Sequence, residues 1–413
     1  MKKLVGLLFL LITLSSLQAQ LDEYWIAPPY YIKTVKLDDG KIEKPSAIIR
    51  LGHRIYFSFD DLQADEKEYS YKIVRLDENW EPSRLNESEY IRGFASDIIT
   101  NIEQSSGTLQ SYTHYSLSLP NDNTRILLSG NYILQVLDED NEVVFSKPFI
   151  LYENKFNVGV QVKWPNQVSM KDRLQMIDFV LYKGNYQITN ESESLTVKIF
   201  QNNDIGYSIN FHQPTFYKGN QWVYHYPNEA VFEGINEFRR FETTDVRGYN
   251  YGIAYKELND LYDFYPYTGD FRYHYLYNKD INGSYILSSD QALNDVHTEA
   301  DYVNVHFSFS GVLENDEEIY VTGRFNDFYP TDDYKLSYNE ETRKYEVSVL
   351  LKQGYYDYMF VTKNPQGEID VTSIEGSFAQ TENDYTVVVY YRPPGARYTK
   401  VIGLGKANSG TIN

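Results

Sequence analysis

Cysteine is absent from the 413 residues of this chain, and long apolar runs are nearly absent. Without thiols the protein can form neither disulfides nor thiolate metal sites, and it offers no cysteine for a lipid anchor. The one extended apolar run, Leu4–Leu14, has 11 residues, whereas a membrane-spanning helix needs roughly 20. The sequence therefore predicts neither a disulfide scaffold nor a transmembrane helix.

The start of the chain has the pattern of a secretory signal peptide. Lys2 and Lys3 precede the apolar run, and Ser15–Ala19 provides the small residues that a cleavage site needs. We expect residues 1–19 to be removed, which leaves Gln20 first; the alternative is an uncleaved anchor. The mature chain is predicted to be exported, soluble and not lipid-anchored.

Basic residues are too few to balance the acidic ones. The chain has 58 Asp and Glu against 38 Lys and Arg, a net charge of −20, and loss of Lys2 and Lys3 would take it to −22. A surface of this sign repels nucleic acid and anionic lipid, so neither is expected as a partner.

Motifs that mark catalytic and cofactor sites are missing too. The chain has no phosphate-binding glycine loop, no HExxH zinc motif and no GxSxG nucleophile elbow. Its 7 histidines are scattered singly, and the acidic clusters at 138–140 and 314–318 lack the Gly and terminal Glu of a calcium loop. We interpret these clusters as solvated turns. The sequence therefore predicts no catalytic residue, no metal ligand and no cofactor-binding residue, although a carboxylate pair for glycoside cleavage would leave no sequence pattern.

Tyrosine is in excess, with 40 residues or nearly one in ten. The residue suits strands, and its amphipathic ring suits interfaces and sugar contacts. Most of these rings are expected to be strand aromatics. The excess, which includes a tyrosine-rich stretch from Tyr207 to Tyr267, still favours a protein that contacts something large.

Apolar residues alternate with polar ones along most of the chain, which is the pattern of half-buried strands. We predict an all-β fold of three consecutive β-sandwich units of immunoglobulin-like type, with little helix. Met170–Leu181 is ambiguous, because its apolar spacing fits a helix about as well as a strand over Gln175–Tyr182.

About 394 mature residues are too many for one core. The predicted units are an N-terminal sandwich at 20–155, a middle β-rich domain at 156–300 and a C-terminal sandwich at 301–398. Residues 399–413 are predicted to be a flexible tail, because Gly, Ser and Asn accumulate there. The polar stretch at 79–109 is predicted to be a long connection.

Two short segments combine cations with aromatic rings. Arg92-Gly93-Phe94 predicts a sharp turn that presents a cation and a ring, and Arg392–Tyr398 is stiffened by two prolines while it carries two arginines. The alternative for the first segment is that Phe94 plugs into the sandwich while Arg92 pairs with an acid. An ordinary structural role is an equal alternative for the second.

The C-terminal unit resembles the glycogen-binding-type module of α-glucan enzymes. Ile319–Phe328 carries its pattern of a strand followed by Gly-x-Phe-Asn-x-aromatic, and Leu350–Val361 matches its second half. Sugar-binding members use a pair of tryptophans, whereas here Phe328 takes the first place and residues 365–368 supply no aromatic. The resemblance implies the module's fold with a dismantled sugar site.

A second resemblance spans nearly the whole mature chain. Several stretches in order are similar to the plug protein of the type IX secretion system, and the middle unit matches least. The stretches are Leu85–Phe94, Tyr112–Tyr115, Leu119–Asn121, Ser129–Tyr132, Ala300–Tyr302, Gly323–Asp327, Leu350–Tyr356, Ile374–Phe378, Thr381–Thr386 and Tyr390–Tyr398.

This resemblance implies a non-enzymatic periplasmic protein that seals the periplasmic opening of a large outer-membrane translocon barrel, without cofactor or catalytic residue. The alternatives are an exported glycan-binding protein that uses the C-terminal sandwich and, behind it, an exported glycoside-acting enzyme. The residues predicted to contact the barrel are Arg92, Phe94, Phe328, Tyr329, Arg392, Arg397 and Tyr398.

Overall fold

The structure, a computed structural model, describes residues 24–42, 44–184, 186–313 and 316–411. The predicted signal peptide lies outside these ranges. The prediction of an all-β fold with little helix is confirmed. Helices α1 (Glu87–Tyr90), α2 (Glu191–Ser194) and α3 (Val296–Glu299) are single turns. Within the described ranges, no helix has the length and apolar character to cross a membrane.

Thirty strands are described in chain order. The first eleven are β1 (Ile32–Asp38), β2 (Ile48–Arg50), β3 (Ile55–Asp61), β4 (Ser70–Leu76), β5 (Ile91–Gly93), β6 (Ser96–Ile98), β7 (Asn101–Gln104), β8 (Thr113–Leu119), β9 (Thr124–Ile126), β10 (Gly130–Leu137) and β11 (Val143–Tyr152). The next seven are β12 (Phe156–Lys163), β13 (Leu174–Tyr182), β14 (Leu195–Gln201), β15 (Ile209–Phe211), β16 (Phe216–Lys218), β17 (Gln221–Tyr224) and β18 (Val231–Glu233). The last twelve are β19 (Arg239–Glu242), β20 (Ile253–Leu258), β21 (Tyr262–Pro266), β22 (Tyr285–Leu287), β23 (Tyr302–Phe309), β24 (Glu318–Thr322), β25 (Lys335–Asn339), β26 (Lys344–Lys352), β27 (Gly354–Lys363), β28 (Ile369–Asp370), β29 (Asp384–Tyr391) and β30 (Lys400–Asn408).

Strands β1 to β11 form the N-terminal sandwich. One sheet has the order β1-β3-β8-β7 and the other β2-β11-β10-β4-β6, with β5 and β9 as a separate ribbon. Alternation along β3 sends Phe57 and Phe59 inward, where Phe59 stacks on Tyr115 at 5.0 Å. The stretch at 79–109 is not the plain connection that we predicted, since it contains α1, β5, β6 and β7. These elements are short and largely exposed, so their sequence shows little alternation.

A larger sheet follows the N-terminal sandwich; it has nine strands, in the order β15-β14-β29-β30-β12-β13-β17-β16, with β18 beside β13. The ambiguous segment is the strand β13, and the helical alternative is wrong. Ile177, Phe179 and Leu181 alternate onto one buried face, and β13 pairs in continuous antiparallel register with β12. Burial of every second residue and pairing with β12 therefore identify the segment as a strand, which the spacing of its apolar residues alone could not do.

The predicted flexible tail at 399–413 is wrong for most of its length, because β30 is an interior strand of the nine-stranded sheet. It pairs antiparallel with β29 and parallel with β12. Val401 and Ile402 are fully buried. The glycines serve close packing here, since a Cβ at Gly405 would lie 2.6 Å from the Val158 carbonyl oxygen.

The largest sheet has ten strands, in the order β19-β27-β24-β25-β26-β23-β21-β20, with β22 and β28 beside β27. Strands β19 to β22 come from the predicted middle domain at 156–300. The nine-stranded sheet in turn takes β29 from the predicted C-terminal unit at 301–398 and β30 from the predicted tail at 399–413. The boundaries at 300 and 398 are therefore corrected. Alternation specifies which residues are half-buried, but it does not specify which distant strand is the partner.

The fold has three bodies: the N-terminal sandwich, the nine-stranded sheet with its loops and the ten-stranded sheet with its loops. Buried contacts join each body to the other two. An apolar layer that includes Trp80, Ile133 and Tyr390 lies between the N-terminal sandwich and the nine-stranded sheet. Asp60 and Lys352, both fully buried, pair at 2.8 Å between the sandwich and the ten-stranded sheet. Buried side-chain to backbone hydrogen bonds join the other two bodies.

Gln175 of β13 anchors the connection that runs from β28 of the ten-stranded sheet to β29 of the nine-stranded sheet. Its buried amide donates to the carbonyl oxygens of Ala379 at 2.8 Å and Thr381 at 2.7 Å. Its Oε1 accepts from the Tyr385 hydroxyl at 2.6 Å. Both the nitrogen and the oxygen of this buried amide therefore have hydrogen-bond partners, so the amide fixes the connection in place and leaves no buried polar atom unsatisfied.

Candidate interaction surface

The segment Arg92-Gly93-Phe94 forms a turn that presents its side chains outward. Strand β5 pairs with β9, and Gly93 has a φ of +93°. A Cβ at Gly93 would lie 1.9 Å from the Asn123 carbonyl oxygen, so only glycine fits. Phe94 is 63% exposed and Arg92 is exposed. The ring therefore does not plug the sandwich.

The Arg392–Tyr398 segment lies against the same end of the N-terminal sandwich. Arg397 pairs with Glu89 of α1, which is three residues before Arg92. Arg392 is exposed at the start of the loop. Two segments that are about 300 residues apart in the chain thus come together, and we name Arg92, Phe94, Arg392 and Arg397 the arginine surface.

Tyr398 has an internal role. Its half-buried ring lies 5.0 Å from the guanidinium of Arg75, a cation–π contact. Arg75 is itself buried and donates to the carbonyl oxygens of Ser129 at 2.9 Å and Thr399 at 2.5 Å. Tyr398 therefore holds the loop against the sandwich.

Phe328 and Tyr329 also face inward in part. The Phe328 ring lies 6.2 Å from Phe238, and the Tyr329 ring lies 4.3 Å from Trp25. Both residues are half-buried. Phe328 packs within the ten-stranded body and Tyr329 packs against the segment before β1. Only part of each ring is left to an outside partner, which does not favour stacking of Phe328 on a sugar.

A second set of exposed residues was not among the predicted contact residues. Four of its six members lie in the tyrosine-rich stretch from Tyr207 to Tyr267 that the sequence shows. Strand β20, the loops around it and the loop after β21 present tyrosines to solvent. We name these residues the tyrosine surface: Tyr249, Tyr251, Tyr255, Tyr267, Tyr273 and Tyr277, between 43% and 82% exposed.

Hydrogen bonds and ring contacts order this region. Glu257 accepts from the hydroxyls of Tyr255 at 3.0 Å and Tyr265 at 3.1 Å. The Tyr265 ring stacks on His306 at 4.4 Å. Burial, followed by Glu257, raises the pKa of Tyr265 to about 12, so its hydroxyl remains a donor. Exposed aromatic rings with polar tips are typical of wet protein interfaces.

No group of three or more His, Asp or Glu side chains in the described ranges is arranged to hold a metal ion. The notable acids are instead two buried carboxyls, Asp280 and Asp357. Burial raises the pKa of Asp357 to about 7, because backbone hydrogen bonds and Arg240 offset only part of it. Burial and then the neighbouring Asp357 raise the pKa of Asp280 to about 8.

Replacing Asp357 with Asn, which resembles the protonated carboxyl, is expected to stabilise the protein at alkaline pH. The folded-state pKa lies above the unfolded value of about 4, so the stability that the acid contributes is full below pH 4 and is lost as pH rises toward 7. The free energy of unfolding of the variant, relative to the parent, should rise by about 4 kcal/mol between pH 4 and pH 8, because about three pKa units of about 1.4 kcal/mol each separate the folded and unfolded values. Urea titrations at both pH values measure this.

The matched control is Asp140→Asn, in an exposed turn, which should follow the parent at both pH values. If Asp357→Asn also followed the parent, the carboxyl would be ionised in the fold and the explanation would be wrong.

Two kinds of comparison match this chain. A family model matches the first sandwich, and a solved structure matches nearly the whole chain. Residues 32–153 match the family described as type 9 secretion system plug protein 1st domain. A crystallised hypothetical protein from Parabacteroides merdae ATCC 43184 has 30% sequence identity and a TM-score of 0.88, and the match covers 93% of this chain and 99% of that chain.

Two other structural matches have identities and TM-scores too low to support any argument about this chain. A biofilm-associated protein BSP domain has 9% identity and a TM-score of 0.16, with 93% of this chain and 60% of that chain covered. A trypsin-activated alpha-2-macroglobulin from Escherichia coli has 9% identity and a TM-score of 0.19, with 92% and 29% covered. No curated protein matches the chain.

Proposed function

Because this chain belongs to the type IX secretion system plug family, we propose that it is a non-enzymatic periplasmic plug that seals the periplasmic opening of the large outer-membrane translocon barrel. Members of this family are components of the secretion system. The sealing role, the barrel as direct partner and the periplasmic location are the proposal.

The observation that carries the proposal is the bonding of all three bodies to one another. An open barrel wide enough for folded cargo would let solutes through the membrane. A plug that closes it must therefore be bulky, and its three bodies must not separate from one another. The apolar layer with Trp80 and the buried Asp60–Lys352 pair close two of the junctions. At the third, Arg324 beside β24 donates to the carbonyl oxygen of Asn203 beside β14 at 2.8 Å. A chain of loosely linked sandwiches would lack such buried contacts.

Its exposed surfaces suit a reversible contact. The arginine surface offers cations and one phenyl ring, and the tyrosine surface offers amphipathic rings. Arginine and tyrosine are enriched among the residues that contribute most to binding, and polar interfaces of this kind can separate again. We infer that one or both surfaces contact the barrel.

Tagged chain purified from gently solubilised membranes is expected to carry with it a barrel far larger than itself, and deletion of the gene should make the outer membrane permeable to large solutes. Arg92→Ala with Phe94→Ala, or Tyr273→Ala with Tyr277→Ala, should reduce the recovered barrel by roughly tenfold or more if that surface is in contact.

Leu293→Ala, at an 88% exposed site outside both surfaces, is the control and should leave recovery unchanged. Isolation of the chain only as a free monomer, together with an unchanged outer-membrane barrier in the deletion strain, would overturn the proposal.

A further inference from the structure

Three side chains from three strands of the ten-stranded sheet form a hydrogen-bonded row on its outer face. Asp263 lies on β21, His306 on β23 and Ser348 on β26. His306 and Ser348 are directly opposite each other in the antiparallel register. Val305 and Phe307 are buried in the core, so alternation along β23 turns His306 outward. We name Asp263, His306 and Ser348 the outer triad.

The distances in the outer triad are those of direct hydrogen bonds. The Ser348 hydroxyl lies 2.7 Å from Nδ1 of His306, and Nε2 of the same ring lies 2.7 Å from Oδ1 of Asp263. Because an ionised carboxylate can only accept, Nε2 of the neutral ring carries the proton. Nδ1 is then the acceptor for the Ser348 hydroxyl, so the ring can take the serine proton.

Asp263 is held in place as that carboxylate. It is buried, and its oxygens also accept from the side-chain amides of Asn259 and Asn304, each at 2.9 Å. Burial raises the pKa of Asp263, but the hydrogen bonds from His306 and the two amides outweigh it and hold that pKa below its usual range. The Tyr265 ring, stacked on the imidazole at 4.4 Å, restricts its rotation. The carboxylate and the stacked ring together orient the base.

Serine, histidine and aspartate bonded in this order are the arrangement that activates a serine as a nucleophile. Ser348 is exposed, so a reagent in solution can reach its hydroxyl while the fold stays intact. Large substrates need a cleft that holds them. An exposed sheet face instead favours a small acyl donor whose reactivity is already built in, such as an activated ester.

We propose that Ser348 is an acylation site, at which the chain accepts one acyl group from a small activated ester. The Ser348 oxygen bonds to the acyl carbon while its proton passes to Nδ1 of His306, and water at the exposed face solvates the oxygen anion of the intermediate. The bond from that carbon to the ester oxygen then breaks, and the leaving oxygen anion takes the proton from the ring. The products are acyl-Ser348 and an alcohol. Acceptance of one acyl group per chain is not turnover and does not depend on the plug role.

Acetylation of the folded chain by p-nitrophenyl acetate, located by mass spectrometry after trypsin digestion, tests this. Cleavage after Lys344 and Lys352 releases a peptide in which Ser348 is the only serine, and fragment ions separate serine from tyrosine acetylation. The matched reference is Ser337, which is exposed on β25 and is the only serine of the tryptic peptide 336–343. Ser348 should be acetylated roughly tenfold faster than Ser337 or more, since a positioned base contributes about 10²-fold to 10⁴-fold.

His306→Gln keeps a polar side chain but cannot take the proton, so it should slow acetylation of Ser348 roughly tenfold or more. Asp263→Asn should do the same, because an amide that donates to Nε2 moves the ring proton to Nδ1. Ser308→Ala, on the same face of β23, is the control and should match the parent. Thermal unfolding like that of the parent shows that each variant is folded. Acetylation of Ser348 no faster than that of Ser337, or at an unchanged rate in His306→Gln or Asp263→Asn, would overturn the proposal.

Discussion

Deleting residues 399–413 is expected to abolish folding of the nine-stranded sheet, and so to prevent recovery of native protein. The deletion removes β30, which fills the space between β29 and β12. Burying Val401 and Ile402 alone contributes about 1.5 to 3 kcal/mol each, and two further strands lose their partner. A typical domain has only about 5 to 15 kcal/mol of net stability, so the loss should exceed what remains.

Solubility, far-UV circular dichroism and thermal unfolding of the truncated chain measure this effect. A truncation after Thr411, which keeps all of β30, is the control and should unfold like the full chain. Native dichroism and a melting temperature within about 3 °C of the parent in the longer deletion would show that β30 is dispensable, contrary to its place in the sheet.

Replacing Lys352 with Met is expected to lower the free energy of unfolding by about 3 to 5 kcal/mol, because it leaves the Asp60 carboxylate buried without its cation. Lys352 donates to Asp60 at 2.8 Å and lies 4.0 Å above the Tyr112 ring. Burial raises the pKa of Asp60, but Lys352 and His114 outweigh it and hold that pKa below the usual range. The carboxylate is therefore ionised in the fold. Urea denaturation at pH 7 is the measurement.

The double variant Asp60→Asn with Lys352→Met should recover most of the loss, since it removes the uncompensated charge. Lys41→Met, which removes an exposed partner of Asp39, is the matched control and should leave stability nearly unchanged. A double variant as unstable as Lys352→Met alone would mean that packing around the amine, rather than charge, provides the stability.

The fold class was predictable because alternation is local. Strands such as β3, β10 and β23 could be predicted from a few residues each, and the family resemblance from short motifs in order. Sheet membership was not predictable, since β12 pairs with β30 more than 240 residues later. Nothing in the sequence near Phe156 or Gly403 indicates that partner.

Among the residues predicted to contact the barrel, too, some positions were predictable from the local sequence and others were not. The turn at Gly93 was predictable from local chemistry, because a glycine before an aromatic in a polar stretch favours a tight, outward turn. The inward packing of Tyr398 was not, since it depends on Arg75, which lies more than 300 residues earlier and is itself buried against Tyr132. Charge and aromaticity identify candidates, but burial by distant residues decides which of them reach solvent.

The position of β29 and β30 also sets the order in which the chain can assemble. The strands of the N-terminal sandwich all lie before residue 153, so this body can form as soon as that length is available. The nine-stranded sheet cannot close until its last two strands arrive, and closing so long a loop is slow and leaves apolar edges open meanwhile. Newly made chain should therefore depend on protection from aggregation until its final residues are free to pair.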